Sequence, residues 1–186
     1  MTADEWSIHF NVSRDEQTFT GDGGDPGQVA KAKNGEWIYL FKPQKDHLQS
    51  EKLVNMKNHN YHLEPNVHFS PDEKWLYGAD MSIVDFPTLG RRELRVYAVN
   101  GRELEAGRRF ATVESGFPDG FCVARAGNLF CSCADGVLVF DPQGRQIDKI
   151  SVPERVSNCT FGGPNGDELY ITATTSLYRM VLNTRG

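Results

Sequence analysis

Short runs of apolar residues, broken by clusters of polar turn residues, recur along most of this chain. The clearest runs are Trp37-Ile38-Tyr39-Leu40-Phe41, Glu93-Leu94-Arg95-Val96-Tyr97-Ala98-Val99, Gly136-Val137-Leu138-Val139-Phe140 and Leu169-Tyr170-Ile171-Thr172-Ala173-Thr174. Each is short, rich in β-branched or aromatic residues, and bounded by Gly, Pro, Asn or Asp, which is the signature of a strand. The three-to-four-residue recurrence of an amphipathic helix is almost absent. Asn34-Gly35, Asn100-Gly101, Ala134-Asp135-Gly136 and Gln143-Gly144 supply the positive φ that tight hairpins require. Read this way, the chain holds about sixteen strands.

One phrase recurs: a β-run, a polar turn, and a second β-run carrying an aromatic. It stands as Phe69-Ser70-Pro71-Asp72-Glu73-Lys74-Trp75-Leu76-Tyr77 and returns over 29–39, 123–130 and 161–170, with a looser copy over 12–19. Repeats of this kind divide the chain into units at 6–56, 66–113, 119–152 and 157–186, each close to the length of a four-stranded blade. The pattern therefore predicts an all-β fold: a small or partial β-propeller of about four blades of four-stranded antiparallel sheet, forming one domain over 1–186. The last unit has room for three strands. Asp80 to Arg92, with Pro87 and Gly90, reads as a long connecting loop. Gly21 to Gly27 reads as a tight inter-strand turn, because no Lys follows it and no helix opens after it, as a phosphate cradle would need.

Composition narrows the partners. The formal net charge is −5 over 186 residues, and Arg91-Arg92 and Arg108-Arg109 are the basic doublets in an otherwise dispersed set, so no nucleic-acid partner is expected. No apolar run is long enough to span a bilayer, and Met1-Thr2-Ala3-Asp4-Glu5-Trp6 is acidic and lacks the apolar stretch of a leader. The expectation is a cytoplasmic protein with no membrane partner. Cys131 and Cys133 share a strand face, while Cys122 and Cys131 flank one turn and could face each other across a hairpin. Their spacing fits no zinc motif, so the four cysteines read as buried reduced thiols.

From about Glu93 onward the chain resembles the carboxy-terminal part of the gluconolactonase (regucalcin-like, SMP-30) family. The resemblance rests on Arg95-Val96-Tyr97-Ala98-Val99-Asn100-Gly101-Arg102, Phe117-Pro118-Asp119-Gly120-Phe121, Asp135-Gly136-Val137-Leu138-Val139-Phe140-Asp141-Pro142 and Asn158-Cys159-Thr160-Phe161-Gly162-Gly163-Pro164, in the family's order. Residues 6–77 resemble the oligogalacturonate lyase family instead, through His9-Phe10-Asn11-Val12-Ser13-Arg14-Asp15, Trp37 to Pro43 and Leu63-Glu64-Pro65-Asn66-Val67-His68-Phe69. Residues 78–186 then carry the gluconolactonase-like blades. The two resemblances meet at Phe69-Ser70-Pro71-Asp72, as in a recombined or engineered chimera.

The first resemblance implies a sugar-lactone hydrolase using a divalent metal, calcium or zinc, with Asp119 as ligand and general base. Pro65 holds the place of the family's mid-chain Asn ligand, and Asn66 comes one residue later, on the other strand face. The second implies a pectin-fragment enzyme acting on oligogalacturonides with a metal such as manganese, His9 standing where a ligand is expected. His62, Glu64, Asn66 and His68 alternate and would share one face of a strand, a plausible metal constellation or a solvated polar face. Asp119, before Gly120, could equally be a turn-forming residue. No Ser–His–Asp elbow or zinc helix is present. Three readings stand together: a lactonase, a lyase, and a propeller scaffold without catalysis, with a homodimer completing a partial ring.

Overall fold

A computed structural model describes the strand backbone at 10–12, 19–23, 37–43, 48–55, 63–66 and 103, and residues 67–84, 87–100 and 104–186 with their side chains. Sixteen strands lie in this described part: β1 (Phe10–Val12), β2 (Phe19–Gly23), β3 (Trp37–Pro43), β4 (Leu48–Asn55), β5 (Leu63–Phe69), β6 (Trp75–Asp80), β7 (Glu93–Asn100), β8 (Glu103–Leu104), β9 (Arg108–Thr112), β10 (Phe121–Val123), β11 (Leu129–Cys133), β12 (Gly136–Phe140), β13 (Gln146–Ser151), β14 (Val156–Gly162), β15 (Glu168–Ala173) and β16 (Leu177–Val181). They form four antiparallel sheets in chain order: β1-β2-β3-β4, then β5-β6-β7 with β8 and β9 both pairing β7, then β10-β11-β12-β13, then β14-β15-β16. The first strand of each sheet is innermost. β5 borders β1 and β2 on one side and β10 on the other, and β10 and β11 border β14. The fold is a partial β-propeller of four blades, the last of three strands.

The core lies between the blades. Tyr77, Leu94, Val96 and Phe110 of the second blade pack on Phe121, Leu129, Cys131, Leu138 and Phe140 of the third. The other face of the third blade (Cys122, Phe130, Val137, Val139) packs on Val156, Cys159, Leu169 and Ile171 of the fourth. Burial on both faces explains why β11 and β12 are apolar throughout rather than alternating: every residue of both strands is buried. β16 alternates instead, with Tyr178 and Met180 on the core and Leu177 and Val181 66% and 67% exposed.

The recurrent phrase is a side-chain-built turn. Ser70 Oγ donates to Asp72 Oδ1 (2.7 Å) and accepts from the Trp75 amide (3.0 Å), while the Glu73 amide donates to Ser70 O (2.9 Å). The turn holds Glu73 at φ 56°, a left-handed conformation uncommon outside Gly, Asn and Asp. A second side-chain-built turn, between β12 and β13 of the third blade, is made by Asp141, whose Oδ1 accepts the Gln143 and Arg145 amides (3.0 and 2.9 Å). Its Gly144 sits at φ +82°, where a Cβ would meet Phe110 O of the neighbouring blade at 2.2 Å.

Two local expectations are corrected. Gly21 to Gly23 belong to β2, paired with Tyr39, Ile38 and Trp37, because cross-strand pairing overrides the weak strand propensity of glycine. The rest of that glycine run, and Asn34-Gly35, lie outside the described residues. Cys122 and Cys131 do not face each other. Cys122 pairs Phe130 and Cys131 pairs Phe121, so the two thiols point to opposite faces of the sheet, and Cys122 Sγ meets Cys159 Sγ of the next blade at 3.9 Å. All four cysteines are free and buried, as the sequence suggested.

Candidate active site

Asp119 stands at the head of β10, on the end of the propeller where the inner strands begin. Its backbone is fixed by a small polar net between the third and fourth blades. The Asp119 amide donates to Ser132 O (3.3 Å), and the Ser132 amide to Gly120 O (2.8 Å). Ser132 Oγ lies 2.8 Å from Gly120 O and 3.0 Å from Ser157 O, and the Gly120 amide donates to Ser157 O (2.8 Å). Ser132 is 0% exposed, so this hydroxyl ties three strands together where water cannot replace it.

Gly120 has a steric reason. A Cβ there would lie 2.0 Å from Asn158 Oδ1 and 2.6 Å from Asn158 Cβ. Asn158 Oδ1 in turn accepts the Cys159 amide (2.8 Å). The Pro-Asp-Gly phrase therefore reflects close approach of two inner strands, which an ordinary turn would not demand.

The rim beside it is braced by Glu154. This carboxylate accepts from Ser176 Oγ (2.5 Å), Tyr178 OH (2.7 Å), the Thr175 amide (2.7 Å) and Thr175 Oγ1 (2.8 Å). The Ser176 and Tyr178 hydroxyls, with the Thr175 groups, hold its pKa down to about 2. The Arg155 guanidinium lies 5.4 Å from the Phe117 ring centroid, over the segment leading to Asp119.

His68, on β5, packs against Phe121 at the start of β10, with ring centroids 4.9 Å apart. Burial lowers its pKa to about 4, so the imidazole is neutral at pH 7. Glu64 and Asn66 are described only as backbone of β5, and the β5–β6 register shifts between Leu63 and Val67, which interrupts the simple alternation through them. His9 and His62 lie outside the described residues. The structure thus sets His68 and Asp119 on or beside neighbouring inner strands. Among the described residues no three His, Cys, Asp or Glu side chains converge as a metal site. Asp119 offers one carboxylate, and that alone does not fit a divalent cation, so no chemical step is derived through a metal.

Thiol chemistry has no place here. Burial, then the neighbouring Cys159, Cys133 and Asp119, push the Cys131 thiol well up, and its contact with Cys122 and burial do the same for Cys159. Ser132 and Ser157 carry the site's framework with almost no signal of their role in the sequence, and Asn158 entered there only as part of the Asn158 to Pro164 phrase. The one available signal was that Ser132 interrupts an otherwise apolar buried strand.

The family model described as SMP-30/Gluconolactonase/LRE-like region matches residues 10–175. The match runs across Phe69-Ser70-Pro71-Asp72 and takes in most of the stretch that resembled the lyases. A lactonohydrolase of Aspergillus oryzae is 30% identical over 167 residues, 80% of this chain and 34% of that protein. Regucalcin of Danio rerio is 41% identical over 64 residues, 32% of this chain and 22% of that one. Among solved structures, a gluconolactonase from Xanthomonas campestris superposes with a TM-score of 0.71 at 28% identity, covering 93% of this chain and 56% of that chain. The chain thus spans about a third or less of these curated relatives and little more than half of that structure.

Proposed function

Because the chain belongs to the SMP-30/gluconolactonase/LRE-like family, we propose that it hydrolyses a sugar lactone, with Asp119 as the carboxylate that activates water. The observation that carries this reading is the fixed placement of Asp119 at the head of an inner strand, held by the Ser132–Gly120–Ser157 net. Asp119 takes a proton from a water molecule as its oxygen adds to the lactone carbonyl. The tetrahedral intermediate then expels the ring oxygen, which regains a proton, and the product is an open sugar acid. Calcium is the cation such a site would take, but the described residues offer it a single carboxylate, so the step is written without it.

The test is acid release from gluconolactone, followed with and without added calcium and with a chelator. Wild-type protein should exceed the spontaneous rate, and Asp119→Ala should lose about a hundredfold or more of that excess, as expected for removal of a general base. An Asp119→Ala protein of full activity overturns the reading. No observation favours the oligogalacturonate lyase alternative for residues 6–77.

A further inference from the structure

A second recess opens at the other end of the propeller, between the second and third blades. Its volume is about 450 Å³, within the range of small-molecule sites. The Ser70–Trp75 turn and the start of β9 wall it on one side, and the β10–β11 and β12–β13 turns on the other. Trp75, 38% exposed, gives it a partly open aromatic surface, and Tyr77 and Phe110 line it more deeply.

Two arginines line this recess, and neither pairs with an Asp or Glu side chain among the described residues. Arg108 lies 5.9 Å from the Trp75 ring centroid, and among the described residues its one hydrogen bond is a long 3.5 Å approach of Nη1 to Arg109 O. Arg125 donates through Nε to Gly186 O (2.7 Å), and its Nη groups make no hydrogen bond to the described residues. The single lining carboxylate, Asp72, is already engaged by the Ser70 hydroxyl (2.7 Å) and Lys74 (3.6 Å). Tyr77, 4% exposed, lines the recess beside Phe110, with ring centroids 5.0 Å apart, and its phenol can donate one hydrogen bond to a ligand there.

We propose that this recess binds a small polyhydroxy carboxylate, a sugar acid. Its carboxylate would meet Arg108 and Arg125, Tyr77 would donate to it or to an adjoining hydroxyl, and the carbon chain would lie against Trp75. Planar guanidinium groups suit a carboxylate, and an aromatic face suits the C–H surface of a sugar. The site is separate from Asp119 and does not depend on the hydrolase reading, although its ligand is of the class that lactone opening releases.

Calorimetric titration of the full chain with sodium gluconate tests this, with glucose and sodium sulfate as comparison ligands. Saturable gluconate binding is expected, unchanged in Asp119→Ala, and weakened about tenfold by Arg108→Gln or by Arg125→Gln, the loss of one charge-assisted contact. Tyr77→Phe, which keeps the packed ring, should weaken it by a smaller factor. Absence of saturable binding overturns the proposal, as does binding that survives both arginine variants. Sulfate binding as tight as gluconate, or glucose binding as tight, reduces the site to a simple anion or aromatic surface and overturns it too. Binding lost in Asp119→Ala but kept in Arg108→Gln assigns gluconate to the first site, which removes this proposal and leaves the hydrolase reading standing.

Discussion

His68 shows how a single residue can carry a function class in the sequence and a packing role in the fold. Its imidazole lies on Phe121 and is desolvated, with a folded pKa of about 4 against 6.5 for the free side chain. As pH falls through 6.5 the unfolded chain takes up a proton that the folded protein refuses. Stability is therefore lost from about pH 6.5 downward, and the loss is complete near pH 4, amounting to up to about 3 kcal/mol. Thermal melts of wild type and His68→Phe across that interval check this: the wild-type curve should fall more steeply. A His68 ring resonance that titrates near pH 6.5 would sink the argument. Glu154 acts in the opposite pH range. Its stabilising contacts are present above about pH 4.5 and fade as pH falls toward 2.

At the level of elements, the hairpin phrase was the part most legible from sequence, because its chemistry is local. Ser70 and Asp72 act on amides within five residues, so the Ser-Pro-Asp spelling alone implies the turn. Ser70→Ala removes one hydroxyl that both donates and accepts there. It should cost about 1–2 kcal/mol in denaturant unfolding and let the Asp72 pKa, lowered first by that hydroxyl, move back up. An unchanged unfolding midpoint would show that the amide bonds of the turn suffice without it. The strand pattern and the three-stranded last unit were legible for a similar reason, since short β-branched or aromatic runs and turn residues recur along the chain. What could not be read was contact between blades. Cys122 meets Cys159 across 37 positions, and Ser132 reaches Ser157 across 25, only because two sheets stack in a particular register. Arg108 and Arg125 likewise share a recess through the apposition of a β9 start and a β10–β11 turn, which no spacing in the chain announces.

At the scale of the whole molecule, the second, third and fourth blades are held by the apolar layers between them, with few long-range polar ties among the described residues. The third blade is covered on both faces, whereas the fourth shows one face of its outer strands to solvent, dressed by the Tyr170–Glu168 hydrogen bond (2.7 Å) and the Glu168–Arg179 ion pair (3.4 Å). Exposed ion pairs of this kind contribute little, so the fourth blade draws its stability almost wholly from its neighbour. Native-state hydrogen exchange should follow that order. Amides of β11 and β12 should exchange last, and those of β16 first among the paired strands of the third and fourth blades. Uniform protection across the two blades would contradict it. A stack of plates, each glued only to the next, behaves as a short one-dimensional lattice. Its free energy is a sum of plate and junction contributions, and disorder enters from a boundary and advances one junction at a time. In such a lattice the segment around Asp119 and Ser157 occupies a junction, so melting the fourth blade would dissolve the seat of the carboxylate while the third blade remains folded.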